Sequence, residues 1–155
     1  MIRHHTQSGL TLVEAMISLA LLSLLAASAF TALESANRQA MTTRLYTLAE
    51  TMARDQIDRL QAIGPFNPQQ ATTMGGTQVP PELALDSTRG GPQVQDVSLY
   101  TDPASNTALV TARMTTSVTD AGAQNARAIR VRVDFQFRGR NHSVQIGTLR
   151  TSDSP

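Results

Sequence analysis

The side chains of this chain that could do chemistry are few and scattered. Its histidines are His4, His5 and His142, and it has no cysteine. A lone imidazole becomes a metal ligand or a general base only in company, so His142, beside a turn sequence, reads as a surface residue. Asp96, Asp102 and Asn106 carry oxygens of the kind calcium takes, but their spacing does not follow an EF-hand loop. Arg130, Arg132, Arg138 and Arg140 form a basic strand-and-turn cluster that could contact phosphates. No aromatic shares its exposed face to stack on single strands, so the cluster reads as a solvated sheet face, with nucleic acid the weaker alternative. No Ser–His–Asp arrangement, Gly-rich phosphate loop or metal-ligand spacing can be singled out. The chain is therefore not read as an enzyme, and no cofactor or metal is called for.

One ionisable residue stands out by its surroundings. Glu14 lies among hydrophobic neighbours in GLTLVEAMISL, Gly9 to Leu19. A carboxylate this close to an apolar phase costs about 1–3 kcal/mol, depending on depth and pairing. Its placement suggests a counter-charge that the single chain does not supply. Residues Ala15 to Leu33 then run nineteen positions without a charge. At 1.5 Å per residue that run is about 28 Å long as a helix, close to the thickness of a bilayer's hydrocarbon core. A domain this small, with 4% aromatic residues, could hardly cover a helix that is apolar on every side. The run is read as a transmembrane segment at about 15–33. Before it stand Arg3, His4 and His5 and no acid. Positive charge stays on the cytoplasmic side, which predicts a cytoplasmic N-terminus and an extracytoplasmic remainder. A cleaved secretory signal is the competing reading. The length of the run, its unbroken continuation into helix and the carboxylate near its start argue against it.

Gly9-Leu10-Thr11-Leu12-Val13-Glu14 followed by the apolar run resembles the prepilin processing site of type IV pilins and type II secretion pseudopilins. The resemblance covers roughly the first quarter of the chain. It implies a leader of residues 1–9, cleavage between Gly9 and Leu10 by a membrane-embedded prepilin peptidase, and N-methylation of Leu10. It also implies a role for Glu14 as partner of a neighbouring subunit's Leu10 amine, the pair acting as a registry device during assembly. Leu10 stands where Phe is commoner in the family. The apolar run lacks the proline of many major pilins, which favours a minor pilin or a pseudopilin over a main filament subunit. The implied partners are other pilin subunits, the peptidase, an inner-membrane assembly platform and membrane lipid. The implied location is the bacterial inner membrane, single-pass, and then a pilus or pseudopilus. A reading of another class is a single-span anchored binding protein that never polymerises.

The rest of the chain must carry this segment. No Pro or Gly occurs from Leu10 to Ile63, which predicts one helix over 10–63, roughly 80 Å long. Beyond Leu33 its pattern turns amphipathic. Met41, Leu45, Leu48, Met52, Ile57 and Leu60 recur near the helical period and form a core-facing stripe. Gly64 and Pro65 end the helix. Residues 64–92, with Gly75-Gly76, Pro80-Pro81 and Gly90-Gly91-Pro92, read as a connecting loop. Strands are predicted at Val94–Tyr100, Leu109–Val118, Ile129–Phe137 and Ser143–Leu149, with turns at Asp102–Asn106 and Arg138–Asn141. Helix first and strand meander after predicts an α+β fold with an antiparallel sheet head over 93–151 and a tail at 152–155. This architecture is similar to a pilin head, without a specific motif of its own. The formal charge of +1 leaves the whole chain without strong non-specific attraction to nucleic acid.

Overall fold

In the computed structural model, residues 11–64, 66, 79–122 and 126–153 are described. The chain divides into two compact units, residues 1–41 and 42–155. Helix α1, Leu12–Ala62, contributes to both. In the first unit it is exposed at every position from Thr11 to Ala40. The helix is long and apolar enough, by length and composition, to cross a membrane. Along this exposed stretch, hydroxyl bonds to the backbone add to the helix's own. Ser23, Ser28 and Thr31 return their hydroxyls to carbonyls three residues earlier, at 2.8 Å each. These bonds hide hydroxyls that an apolar medium would penalise. Glu34 and Arg38, four apart, form an ion pair where charge returns.

The second unit is an α+β head. Strands β1 (Gln93–Thr101), β2 (Ala108–Asp120), β3 (Ala126–Phe137) and β4 (Arg140–Thr151) form one antiparallel sheet in the order β1-β2-β3-β4. The alternation of Ile129, Val131, Val133 and Phe135 is the cause: period two puts all four on one face, and all are buried. Phe137, next on the same face, is half-buried where the strand meets its turn. That turn is Arg138-Gly139, with φ of 51° and 75°. Two consecutive positive φ values match the right-handed twist of a two-residue hairpin, and glycine takes the second without strain.

The last five turns of α1 lie on this sheet through Leu45, Ala49, Ala53, Ile57 and Leu60, all buried. The predicted stripe is shifted in one respect. Ala49 and Ala53 are fully buried, whereas Leu48 and Met52 flank the seam half-buried. The seam follows the alanines, and the longer residues cover its sides.

The stretch read as loop holds two short elements, a 3-10 turn at Pro81–Leu83 and a helical turn, α2, at Asp86–Arg89. Their purpose is visible in the register. β1 pairs with β2 only as far as Gln93 opposite Thr116, which leaves the continuation of β2 without a strand. Asp86 takes that place: it accepts the Val118 N–H at 3.1 Å, the Ser117 hydroxyl at 2.6 Å and Arg89 at 2.7 Å. Burial pushes the Asp86 carboxyl up, but Ser117, Val118 and Arg89 together outweigh it and hold the group below its ordinary value. A carboxyl depressed on folding stabilises the fold above its unfolded value and loses that contribution as pH falls through the lower, folded one. Stability is therefore expected to decline below about pH 4, near the ordinary carboxylate value. Asp86→Asn should flatten that acid limb and cost about 1–3 kcal/mol at neutral pH. Thermal melting of the sheet signal in the full chain, across pH, checks both.

A second joint ties the end of α1 to the end of β4. Phe66 is fully buried with Leu60, Leu83, Val118 and Ile129. Two guanidinium groups lie over its ring, Arg127 at 5.6 Å and Arg150 at 5.7 Å, and the two arginines are cross-strand partners. The Phe66 N–H donates to Asp153 Oδ2 at 2.8 Å, and the Asp153 N–H returns to the Phe66 carbonyl at 2.9 Å. Arg150 completes the knot at 2.7 Å from Asp153. Asp153, placed in a tail by the sequence reading, thus belongs to the head's hydrogen bonding. Arg127 is buried. Desolvation lowers its pKa, and the charge of Asp120 partly restores it. The Leu83 carbonyl accepts its hydrogen bond.

Candidate functional site: the capped start of the long helix

Gly9 and Leu10, the residues of the expected cleavage, lie outside the described residues, as do Arg3, His4 and His5. Thr11 and Glu14 are described, and they form the first turn of α1. The Thr11 hydroxyl accepts the Glu14 N–H at 3.3 Å, and the Thr11 carbonyl accepts the Ala15 N–H at 3.1 Å. Thr11 is thus the residue that caps the helix, and Glu14 occupies its third position. Thr-x-x-Glu is the capping-box sequence, in which each side chain is placed to satisfy a backbone donor that the helix start leaves without a partner. The sequence reading took these residues as a peptidase pattern and overlooked this second meaning, although the Thr11-to-Glu14 spacing carries the signal.

Two consequences follow for Glu14. The carboxylate stands in the first turn of α1, at the positive end of the helix dipole. It is also exposed, and among the described residues no cation pairs with it. Its immediate neighbours Leu12, Val13, Met16 and Ile17 are all large exposed apolar side chains. A fixed negative charge is thus presented on an apolar rod by a helix turn that orders its backbone.

The other candidates are placed differently. Arg130 and Arg132 lie exposed on the sheet face away from α1, Arg138 lies in the β3–β4 turn and Arg140 follows it. The face is of mixed sign: Arg132 Nε is 2.8 Å from Asp134, and Arg113 Nε is 3.8 Å from Asp96. A shallow concavity of about 670 Å³ lies over these groups. Arg138 stacks over Phe137 at 5.7 Å. Of the oxygens weighed for calcium, Asp96 faces Arg113, and Asp102 accepts from Ser105 at 2.6 Å and from the Ala104 N–H at 3.2 Å. Those bonds, Ser105 first, hold the Asp102 carboxyl below its ordinary value. Asn106 closes the same turn with a φ of 52°. Among the described residues no three His, Asp or Glu side chains gather as a metal site would require.

His142 corrects the sequence reading. It is half-buried rather than at the surface. Its register partner is Phe135, so it shares the face that packs on α1. It stacks on Phe135 at 5.2 Å, and its Nδ1 lies 2.9 Å from the Tyr46 hydroxyl of α1. The imidazole belongs to the helix–sheet joint.

No curated protein and no solved structure matches the chain. Residues 4–30 match the family model described as the prokaryotic N-terminal methylation motif. This match spans the expected cleavage junction, the capped turn and most of the exposed apolar stretch. With the apolar helix it fits a membrane-anchored pilin-type protein, and it supports assembly with other pilin subunits and processing by a prepilin peptidase. The chain carries, at its N-terminus, the prepilin-type processing site of type IV pilins and pseudopilins.

Proposed function

We propose that this chain is a minor type IV pilin, a structural subunit that is processed between Gly9 and Leu10, methylated on Leu10 and added to a pilus through its N-terminal helix. The observation that carries the reading is the coincidence of the methylation motif with Glu14 on a capped helix turn, followed by an apolar rod exposed on every side. An apolar rod of this length needs lipid before assembly and neighbouring helices after it. The basic leader favours a cytoplasmic N-terminus in the inner membrane and an extracytoplasmic head. The lack of proline in the apolar run is the feature that favours a minor subunit, and it is shared by the alternative, a minor type II secretion pseudopilin. The mixed charge of the sheet face gives nucleic acid no assigned role. Mass spectrometry of the chain from membranes and from sheared filaments tests the reading. The expected result is one species beginning at N-methylated Leu10 in both fractions. A chain that keeps residues 1–9 and stays in the membrane supports the single-span anchored protein instead.

A further inference from the structure

Antiparallel order puts the β1–β2 turn and the β3–β4 turn at one end of the sheet, and the end of β2 and the start of β3 at the other. Within the head unit α1 enters at the first of these ends. The Tyr46 hydroxyl, near the start of the unit, lies 2.9 Å from Nδ1 of His142, two residues past Arg140. Three exposed arginines stand there: Arg44 on α1, Arg138 in the β3–β4 turn and Arg140 after it. Among the described residues none of the three has a carboxylate partner. Asp102, the acid of the two turns, has its oxygens engaged by the Ser105 hydroxyl and the Ala104 N–H. At the opposite end Arg89 and Arg150 are ion-paired, Arg127 is buried, and Arg59 shares its helix turn with Asp55 and Asp58. Both tyrosines of the chain, Tyr46 and Tyr100, also lie at the basic end, with Arg44 over the Tyr100 ring at 5.1 Å. Leu109, beside the β1–β2 turn, is 60% exposed.

We infer that this basic end of the head rests against an anionic phospholipid surface, that of the bilayer holding the apolar run. The inference rests on the membrane-anchored reading above and adds a polar contact to it. Charge selects the occupant. Anionic headgroups attract arginines held near the bilayer surface, and the attraction falls off within a Debye length, about 10 Å at 0.1 M salt. Chain length brings the arginines into that range. Leu33 ends the uncharged run, and Arg44 follows it by eleven residues within one continuous helix, a path of about 17 Å. The headgroup layer on that side of the hydrocarbon takes about 5–7 Å of the path. At most about 10 Å remain, and the tilt usual for spanning helices shortens it further. Tyrosine suits the same place, since rings with a polar tip settle at the membrane–water interface. A nucleic acid offers phosphates too, but nothing in the chain holds one at this distance, whereas the helix holds the bilayer there in every inserted molecule. The contact belongs to the membrane-held chain; a subunit that leaves the bilayer returns these arginines to solvent.

The chain has no cysteine, so single labels can be placed cleanly. Full-length Asn141→Cys, beside the basic turn, and Ala121→Cys, at the opposite end, each receive a fluorophore. They are reconstituted into phosphatidylcholine vesicles with or without phosphatidylglycerol. A tracer phosphatidylcholine with a nitroxide on its headgroup reports contact by quenching. Flotation with the neutral vesicles reads the membrane anchor separately, and a chain that fails to float overturns the anchor and this inference with it. For a chain that floats, the expected result is quenching at Asn141→Cys that rises with phosphatidylglycerol and loses that rise at high salt, with no rise at Ala121→Cys. Adding Arg138→Gln and Arg140→Gln should abolish the rise. Arg138→Lys with Arg140→Lys should retain it, because a charged surface needs the charge and not the guanidinium fork. Circular dichroism checks the sheet in each variant, and the phosphatidylglycerol and salt arms use the unaltered arginines and decide without the variants. Quenching alike at both labels, quenching indifferent to phosphatidylglycerol or to salt, or a rise undiminished in a folded glutamine pair would each overturn the inference. So would an Asn141→Cys label that responds to duplex DNA added to neutral vesicles and not to phosphatidylglycerol.

Discussion

Gly9→Val is expected to leave an unprocessed chain, longer than the mature form by the nine residues of the leader. Glycine at a scissile junction lets a protease bring its catalytic groups against backbone with no side chain between them. A β-branched residue both fills that space and stiffens the chain. Displacing reacting groups by an ångström costs on the order of 100-fold in rate, so the precursor should dominate at steady state. Methylation should vanish with cleavage, because the amine that receives the methyl group does not exist in the precursor. Intact mass of the membrane-extracted chain reads both events at once. The head is expected to melt unchanged, since the substitution lies far from its core in the sequence and contributes no residue to it. Normal maturation of Gly9→Val would remove the basis for the processing assignment while leaving the fold untouched.

Glu14→Ala is expected to divide assembly from insertion. In the membrane an exposed carboxylate beside Leu12, Val13, Met16 and Ile17 carries a desolvation cost, so its removal should leave the membrane pool unchanged or larger. In a filament the Leu10 amine of a neighbour would lose its counter-charge. Leaving one member of a buried pair alone costs about 3–5 kcal/mol, enough to exclude the variant subunit from sheared filaments. The structure adds a complication and its remedy. Glu14 also stands at the third position of the turn capped by Thr11, where a capping-box side chain serves the helix start, so Glu14→Ala removes that option as well as the charge. Losing a favourable charge at a helix N-terminus costs about 0.3–1 kcal/mol, too little to exclude a subunit. Glu14→Gln separates the two roles, because an amide can serve a capping box and has no charge. Fractionation after shearing should find both variants absent from filaments. Filaments that hold Glu14→Gln at the level of the natural chain would show that the cap, and not charge pairing, is what assembly needs.

Both experiments bear on residues at the very start of the chain, where local sequence is unusually informative. Gly9, the uncharged run from Ala15 to Leu33 and the acid at Glu14 are properties of neighbours along the chain. A peptidase and a bilayer respond to such local patterns, and the matched motif, residues 4–30, is likewise a single contiguous segment. The head was legible wherever its physics is periodic. Alternation over Ile129 to Phe135 defined a strand and its buried face, and the lack of Pro and Gly through Ile63 defined the helix.

What the sequence determined by itself was therefore the order of the long helix and the four strands, the buried face of the strand around Ile129 to Phe135 and the apolar, singly charged N-terminal rod, because these follow from composition and from periods of two and 3.6 residues. The tertiary structure decided which small residues form the seam, since Ala49 and Ala53 carry little hydrophobic signal along the chain yet are fully buried in the head. It decided that His142 faces Tyr46, ninety-six residues away in the chain, and that Asp86 completes the part of β2 that β1 leaves uncovered. It brought Arg127 and Arg150 over the Phe66 ring and bonded Asp153 to the Phe66 backbone. Each of these depends on strand register and on groups distant in sequence, and a pattern read along one chain contains no term for either.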